Sequence, residues 1–305
     1  MAPSGGPTRN KALRENSASI TSRENQWLKR FRAALAGEPG GEGTAGVEGV
    51  RLVEAALGSG LAIEALLVSE SGARHLPRIV PVLAGDVPVL RTSDKLFASV
   101  ADTRTPQGIA ALVRLRRATI EDCLRGAALV LAMVGVQDPG NVGTMIRAAE
   151  AFGSTGGVAC SAGDVGTADP FGPKALRASA GAALRLPVVH GIAAGVLIEK
   201  LRASGTKVYA AVAAPEDAAG KSPAAPSRSL LPWEVDWKSP SAILIGNEGA
   251  GLPEEIVRAA DARVCIPQAS ARTRIGIESL NAAMAASVLL YEAMRQRNTE
   301  RKKLS

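Results

Sequence analysis

Aromatic residues are scarce: Phe, Trp and Tyr together make up 3% of the 305 residues. That argues against base stacking on aromatic platforms as the main way of holding a nucleic acid. Histidine is scarcer still. Only His75 and His190 are present, and neither falls in the motifs described below, so a histidine base is not expected. The three cysteines, Cys123, Cys160 and Cys265, lie far apart and follow no metal-ligand spacing. They read as free, buried thiols in a reducing compartment, with no metal bound. No apolar run approaches the roughly 20 residues that span a bilayer. The opening "MAPSGGPTRNKALRENSASI" lacks the apolar centre of a signal peptide. A soluble, cytoplasmic chain without membrane attachment is the expectation.

What is present is a chain 46% apolar, enough for a sizeable core and long enough for two domains. The net charge is +7, and it sits at the ends. Residues 1–32 hold seven Lys or Arg against two acids, and residues 295–305 hold five against one, which leaves the middle slightly acidic. Basic ends fit arms that touch a polyanion such as nucleic acid, or simple solubilising tails.

Residues 1–18 read as a disordered basic tail. A helix follows in "TSRENQWLKRFRAAL", with Ser22 as its N-cap and Trp27, Leu28, Phe31 and Leu35 at helical spacing. "AGEPGGEGTAGVEG" reads as a loop, "VRLVEAALGSG" as a helix closed by glycine, and "IEALLVSE" as a strand. Another strand, a short helix and a last strand near residues 109–115 complete a small α/β domain over 19–116. "RRATIEDCLRG" reads as a linker, 117–126. Over 127–297 strands alternate with helices, beginning with the continuous apolar run "ALVLAMVGV" of a buried parallel strand. Within it "APEDAAGKSPAAPSRSLLPWEVDWKSP" reads as a long surface loop, and residues 298–305 form a second basic tail.

In open parallel sheets ligands bind outside the carboxyl ends of the strands. Three segments fall at such ends. "DPGNVGTMIRAAEAFG" carries Asn141, which suits a helix cap, and Arg147, which suits either an ion pair with Glu150 or a functional cation. "IGNEGAGLP" is glycine-rich, but Gly246, Gly249 and Gly251 follow G-x-x-G-x-G, not the dinucleotide fingerprint, and no phosphate loop is present. It suits a tight turn before a helix begun by Pro253, or close backbone approach to a purine or ribose. "IPQASARTRIGIESLNAAMAAS" places Ser279 at the N-cap of the last helix and Asn281 in its first turn. Asparagine is a mediocre helix former, so Asn281 hints at a polar contact outside the helix.

In this order and at this separation, the three segments resemble the motifs of the SpoU (TrmH-type) branch of the SPOUT RNA methyltransferases, over roughly 126–297. "ITSRENQWLKRF", "VEGVRLVEAAL" and "ADTRTPQGIAALV" resemble the RNA-substrate-binding domain of that family. The resemblance implies an α/β fold: a parallel-sheet catalytic domain with a C-terminal trefoil knot, preceded by a small α/β, ribosomal-protein-like RNA-binding domain. It implies methyl transfer from S-adenosylmethionine to a ribose 2′-hydroxyl of structured RNA. It also implies a homodimer with its active site near the interface. Ribosomal RNA is expected ahead of tRNA, because the two-domain arrangement resembles rRNA-directed members. The positions that carry over are Leu244, Gly246, Asn247, Gly249, Ile266 and Leu280 for the cofactor. For catalysis they are Asn141, Arg147, Glu248, Ser279 and Asn281, with Glu150 beside them. The family usually has a shorter stretch between Ile-Pro and Ser-Leu-Asn; here eleven residues, "QASARTRIGIE", intervene and add Arg272 and Arg274.

Methyl transfer from a sulfonium needs an in-line nucleophile and no metal, and a ribose hydroxyl is a poor nucleophile until its proton leaves. Arg147 is ill suited to take that proton, because a guanidinium pKa lies above about 12. It reads instead as a cation that holds the adjacent phosphate bidentately and favours the developing alkoxide, with Glu248 orienting. A non-catalytic RNA-binding member of the fold and a nucleotide-dependent enzyme on a Rossmann-like sheet are the rival readings. The presence of Arg147, Glu248, Ser279 and Asn281 argues against the first, and the glycine order against the second.

Overall fold

The computed structural model describes residues 17–38, 43–213, 229–269 and 279–304; Arg272, Arg274 and residues 1–16 lie outside them. The chain divides into two compact units. One comprises Met1–Arg117 and Phe171–Arg185, the other Ala118–Pro170 and Leu186–Ser305.

In the first unit, β1 (Ser17–Ser19), β2 (Thr44–Glu48), β3 (Ala62–Ser69), β4 (Val89–Thr92) and β5 (Ile109–Arg114) form a mixed sheet in the order β1-β4-β3-β5-β2. Helices α1 (Gln26–Ala36), α2 (Val50–Gly58) and α3 (Asp94–Ala98) pack on it. The cap of α1 is Asn25, not Ser22: the Asn25 side chain accepts from the Trp27 N–H at 2.9 Å. Ser22 instead accepts from the Glu24 N–H one turn earlier. Leu28, Phe31, Ala34 and Leu35 form the buried stripe of α1, which ends at Gly37 in the left-handed region.

β2 runs through the stretch expected to be a loop. A Cβ on Gly46 would sit 2.7 Å from the Ala34 carbonyl carbon, so glycine is what lets α1 lie against this strand. β1 pairs parallel with β4 and takes Ser17 and Ala18 out of the expected tail. The short helix Pro173–Ala178 and the turn after it also belong to this unit, although the sequence places them in the second domain. A Cβ on Gly37 would meet Pro173 at 2.8 Å, and one on Gly181 would meet Ala55 at 2.5 Å.

In the second unit, β6 (Leu129–Val134), β7 (Gly156–Ser161), β8 (Val188–Ala193), β9 (Lys207–Val212), β10 (Ser241–Ile245) and β11 (Ala262–Cys265) form a parallel sheet in the order β11-β9-β10-β6-β7-β8. Every residue of β6 and β10 is buried, the reason both read as unbroken apolar runs. The expected linker holds α4 (Ile120–Cys123), started by a Thr119–Asp122 capping box, and its Ile120 and Cys123 enter the core. The remaining helices are α5 (Pro139–Ala151), α6 (Ala194–Ala203), α7 (Glu254–Ala259) and α8 (Ala282–Leu304).

α8 continues through residues 298–304, so the backbone of the expected second tail is helical over those residues. Arg297, counted with the basic end, turns inward. Its guanidinium donates to the carbonyls of Trp237 at 2.7 Å, Ala127 at 2.6 Å and Ala128 at 2.9 Å. Burial lowers its pKa, and Asp236 opposes that. Trp237 is fully buried with its indole N–H on the Pro232 carbonyl at 2.8 Å, so the end of the expected surface loop is packed. The three cysteines are free and buried. Burial pushes the Cys123 and Cys160 thiols up to about 12, which keeps them unreactive at neutral pH. No helix of the described residues is long and apolar enough to cross a membrane.

Gly46→Ala will lower the unfolding free energy by about 1–3 kcal/mol, because the added methyl overpacks the α1–β2 contact. Urea unfolding with an unchanged midpoint would mean that α1 moves freely off the strand.

Candidate active site

The carboxyl ends of β6, β10 and β11 carry one hydrogen-bond chain. Asn141 lies in the first turn of α5, after β6. Glu248 lies in the turn after β10, and Asn281 immediately precedes α8. Asn281 Nδ2 donates to Asn141 Oδ1 at 3.1 Å, and Asn141 Nδ2 donates to Glu248 Oε1 at 2.9 Å. Glu248 also accepts from the backbone N–H groups of Asp138 at 3.3 Å and Gln137 at 3.4 Å. The three motifs therefore meet through their side chains.

Each member of this hydrogen-bond chain is placed by a local cause. Asp138, not Asn141, caps α5, its side chain accepting from the Gly140 N–H at 2.8 Å with Pro139 at the first helical position. That leaves the Asn141 amide for its neighbours. Asn281, not Ser279, caps α8: its Oδ1 accepts from the N–H groups of Ala283 at 2.9 Å and Met284 at 3.2 Å. The turn after β10 is closed by paired backbone bonds between Asn247 and Gly251, both 3.0 Å. Asn247 fixes it further, donating to the Gly135 carbonyl at 2.9 Å and accepting from Gly249 at 2.9 Å and Ala250 at 3.0 Å. A Cβ on Gly246 would lie 2.3 Å from the Gly251 carbonyl carbon. The close approach that this glycine permits is thus to the chain's own backbone.

Partial burial raises the pKa of Glu248, but hydrogen bonds from Asn141 and from the backbone N–H groups of Glu248, Gln137 and Asp138 outweigh it. The carboxyl is held below its ordinary value of 4.5. A carboxylate stabilised in this way orients its neighbours better than it takes a proton.

Beside the chain lies a cavity of about 360 Å³, a size typical of small-ligand sites. Gly246, Asn247, Gly249, Ile266 and Leu280 line it, as do Glu248 and Ser279. Leu244 does not: it is fully buried in β10, paired with Ala132 and Ala210. Arg147 is exposed on α5, roughly 9 Å along the axis from Asn141. Among the described residues it has no hydrogen-bond or ion-pair partner, so the ion pair with Glu150, one of its two readings, is not formed. Glu150 is half-buried on the same helix. Lining residues outside the three motif stretches include Ala211 and Val212 at the end of β9, Ala213 just after it, Val257 and Val264; Leu252 and Gln268 lie within those stretches but carried no signal of their own. β9 lies between β10 and β11 in the sheet, so its end opens on the same crevice; chain order alone does not give that adjacency. Among the described residues no group of three or more His, Cys, Asp or Glu could hold a metal ion.

The lowered Glu248 pKa has a stability consequence of fixed sign. The folded value lies below the unfolded one, so the contribution is complete above about pH 4.5 and is lost as pH falls through the folded value. The difference in urea midpoint between the native chain and Glu248→Gln should be constant near neutrality and shrink below pH 4.5. A difference that grows on acidification would reverse the assignment.

The SpoU rRNA Methylase family model matches residues 128–291, and the MRM3-like substrate binding domain model matches residues 41–111. The chain is 34% identical over 246 residues to the 23S rRNA (guanosine(2553)-2'-O)-methyltransferase RlmP of Bacillus subtilis, covering 80% of this chain and 86% of that one. It is 32% identical over 291 residues to an uncharacterized tRNA/rRNA methyltransferase of Synechocystis, covering 93% and 96%. Among solved structures, the AdoMet-bound rRNA methyltransferase from Sinorhizobium meliloti superposes with a TM-score of 0.74 at 30% identity, over 92% of this chain and 98% of that one. The SpoU methyltransferase AviRb from Streptomyces viridochromogenes does so with a TM-score of 0.71 at 27% identity, over 90% and 99%. With its parallel sheet, its three joined motifs and these matches, the chain belongs to the SpoU rRNA methylase family.

Proposed function

We propose that this protein transfers a methyl group from S-adenosylmethionine to a ribose 2′-hydroxyl of ribosomal RNA. The observation that carries this reading is the Asn281–Asn141–Glu248 chain beside the cavity, in a protein 34% identical to a 23S rRNA 2′-O-methyltransferase. The cavity suits the cofactor. Val212, Leu252, Val257 and Ile266 offer apolar walls for a nucleoside, and Gln268 and Ser279 offer polar groups with no partner among the described residues. S-adenosylmethionine supplies a methyl on a sulfonium, and the residues have the remaining task of presenting a hydroxyl in line with it.

Arg147 suits that task as a cation. It is exposed and has no hydrogen-bond or ion-pair partner among the described residues, so its guanidinium can hold the phosphate next to the target ribose and favour the alkoxide. Glu248 holds the Asn141 amide in one orientation and remains ionised. In this reading residues 19–116, with 171–185 packed among them, present the RNA, and residues 127–297 perform the transfer. The family's trefoil knot and a cytoplasmic site of action belong to the same reading.

So does a homodimer. Met284, Val288 and Tyr291 recur at i, i+4 and i+7 along α8 and stay exposed at 59%, 42% and 51%. Such an apolar stripe on a well-packed helix suits a second copy of the chain.

Arg147→Lys keeps the charge but loses the planar fork. Methyl transfer to rRNA, followed by mapping of 2′-O-methyl sites, should fall about 10²- to 10³-fold with cofactor affinity unchanged; near-native turnover would refute the bidentate role. Val288→Glu should convert a dimer to monomers in sedimentation experiments. A native chain that is already monomeric, or a variant that stays dimeric, would remove the dimer from the reading.

A further inference from the structure

Glu48, the last residue of β2, is a buried carboxylate, only 7% exposed. Burying a carboxylate is costly unless its oxygens are satisfied. Among the described residues its hydrogen bonds all come from one loop, residues 102–103: Glu48 accepts from the Asp102 N–H at 2.8 Å, the Thr103 N–H at 3.4 Å and the Thr103 hydroxyl. The other end of the loop is fixed as firmly. The Gln107 side-chain oxygen accepts from the Val50 N–H at 2.9 Å, at the start of α2. Gly108 adopts φ +74, and its carbonyl accepts from Ser69 at 2.8 Å. A Cβ on Gly72 would lie 1.9 Å from the Gly108 carbonyl oxygen, so no side chain fits beneath it.

Between these anchors Arg104 and Thr105 are exposed. The one acid of the loop, Asp102, is paired with Arg177 at 2.6 Å. Arg51, exposed in the first turn of α2, lies three residues after Glu48 and next to the Val50 that Gln107 holds. Glu54, the acid that could pair with it one turn on, is taken by Arg78 at 2.7 Å. Neither Arg51 nor Arg104 has a hydrogen-bond or ion-pair partner among the described residues. A firmly hydrogen-bonded mount thus carries two guanidinium groups, unpaired among the described residues, whose neighbouring acids in the sequence, Glu48, Glu54 and Asp102, are already paired or turned inward. The complementary ligand is a polyanion with spaced negative charges.

We propose that Arg51 and Arg104 grip the phosphate backbone of the RNA substrate, and that Glu48 is the positioning residue that sets the loop carrying Arg104. The inference rests on the methyltransferase reading and locates the grip on the first unit. Guanidinium groups on a fixed frame bind phosphate with less entropy lost than groups on a mobile arm.

The test uses the full chain and in-vitro transcribed bacterial 23S rRNA, with binding followed from 50 to 200 mM salt. Arg51→Ala and Arg104→Ala should each weaken binding several-fold and reduce the slope of log affinity against log salt by about one. S-adenosylmethionine affinity, measured by calorimetry on the same samples, should not change. Glu48→Gln should match Arg104→Ala in affinity and slope, and combining the two should add little. Thr103→Val, which removes one donor to Glu48, serves if Glu48→Gln fails to fold. A Glu48 of merely structural role would lower the melting temperature and leave the slope alone. Unchanged affinity in both arginine variants overturns the proposal, as does weaker binding at an unchanged slope. If those variants are unaffected while the native chain methylates rRNA, the grip lies elsewhere and the methyltransferase reading stands. A native chain that neither binds nor methylates rRNA sinks both.

Discussion

Asn141 has a single amide and satisfies two neighbours with it. Its oxygen takes the Asn281 N–H and its nitrogen gives to Glu248. The polarity of the line is set at both ends. Asn281 has its oxygen committed to two helix N–H groups, so only its nitrogen can point at Asn141. Glu248, held ionised, can only accept. An aspartate at 141 would set an acceptor against an acceptor. The line therefore imposes one orientation on three side chains, with Asn141 more than 100 residues from either partner along the chain, and rigidity at this candidate site follows from polarity as much as from packing.

Much of the second unit serves to bring those ends together. The strand order places β10 beside β6, so the turn with Glu248 emerges next to the start of α5. Gly246 lets Gly251 fold back and hold that turn shut. Far along α8, Arg297 clamps the carbonyls of Ala127 and Ala128, just before β6. The helix that begins at Asn281 is thus tied to the sheet at its opposite end too. Trp237 fills the space between, its indole against Tyr209 at 5.0 Å.

The sequence made the long periodic elements legible because burial writes directly into composition, as in the apolar runs of β6 and β10. It misled where one residue type has two uses. Gly46 reads as a loop breaker but provides room for α1. Ser22 and Ser279 read as caps, yet Asn25 and Asn281 do the capping. Pattern alone cannot say which of two nearby polar residues reaches the helix N–H groups. The cavity lining at the end of β9 was hidden for a different reason, since adjacency in a sheet is a property of topology and not of order along the chain. Arg147 was conspicuous as an isolated charge, and on the surface of α5 it has no partner among the described residues.

The chain passes between its two units three times, at residues 117–118, 170–171 and 185–186. Residues 171–185 sit within the stretch matched to the methylase family, yet they pack with the first unit, where Pro173 meets Gly37 and Gly181 meets Ala55. Leu176, Ala182 and Ala183 are buried there. A single cut at residue 118 would strand this segment with its apolar side chains uncovered. For the exchange of RNA-binding modules between relatives, by recombination or by design, the heritable part is then the whole chain, because the catalytic segment carries within it a piece of the module it would discard.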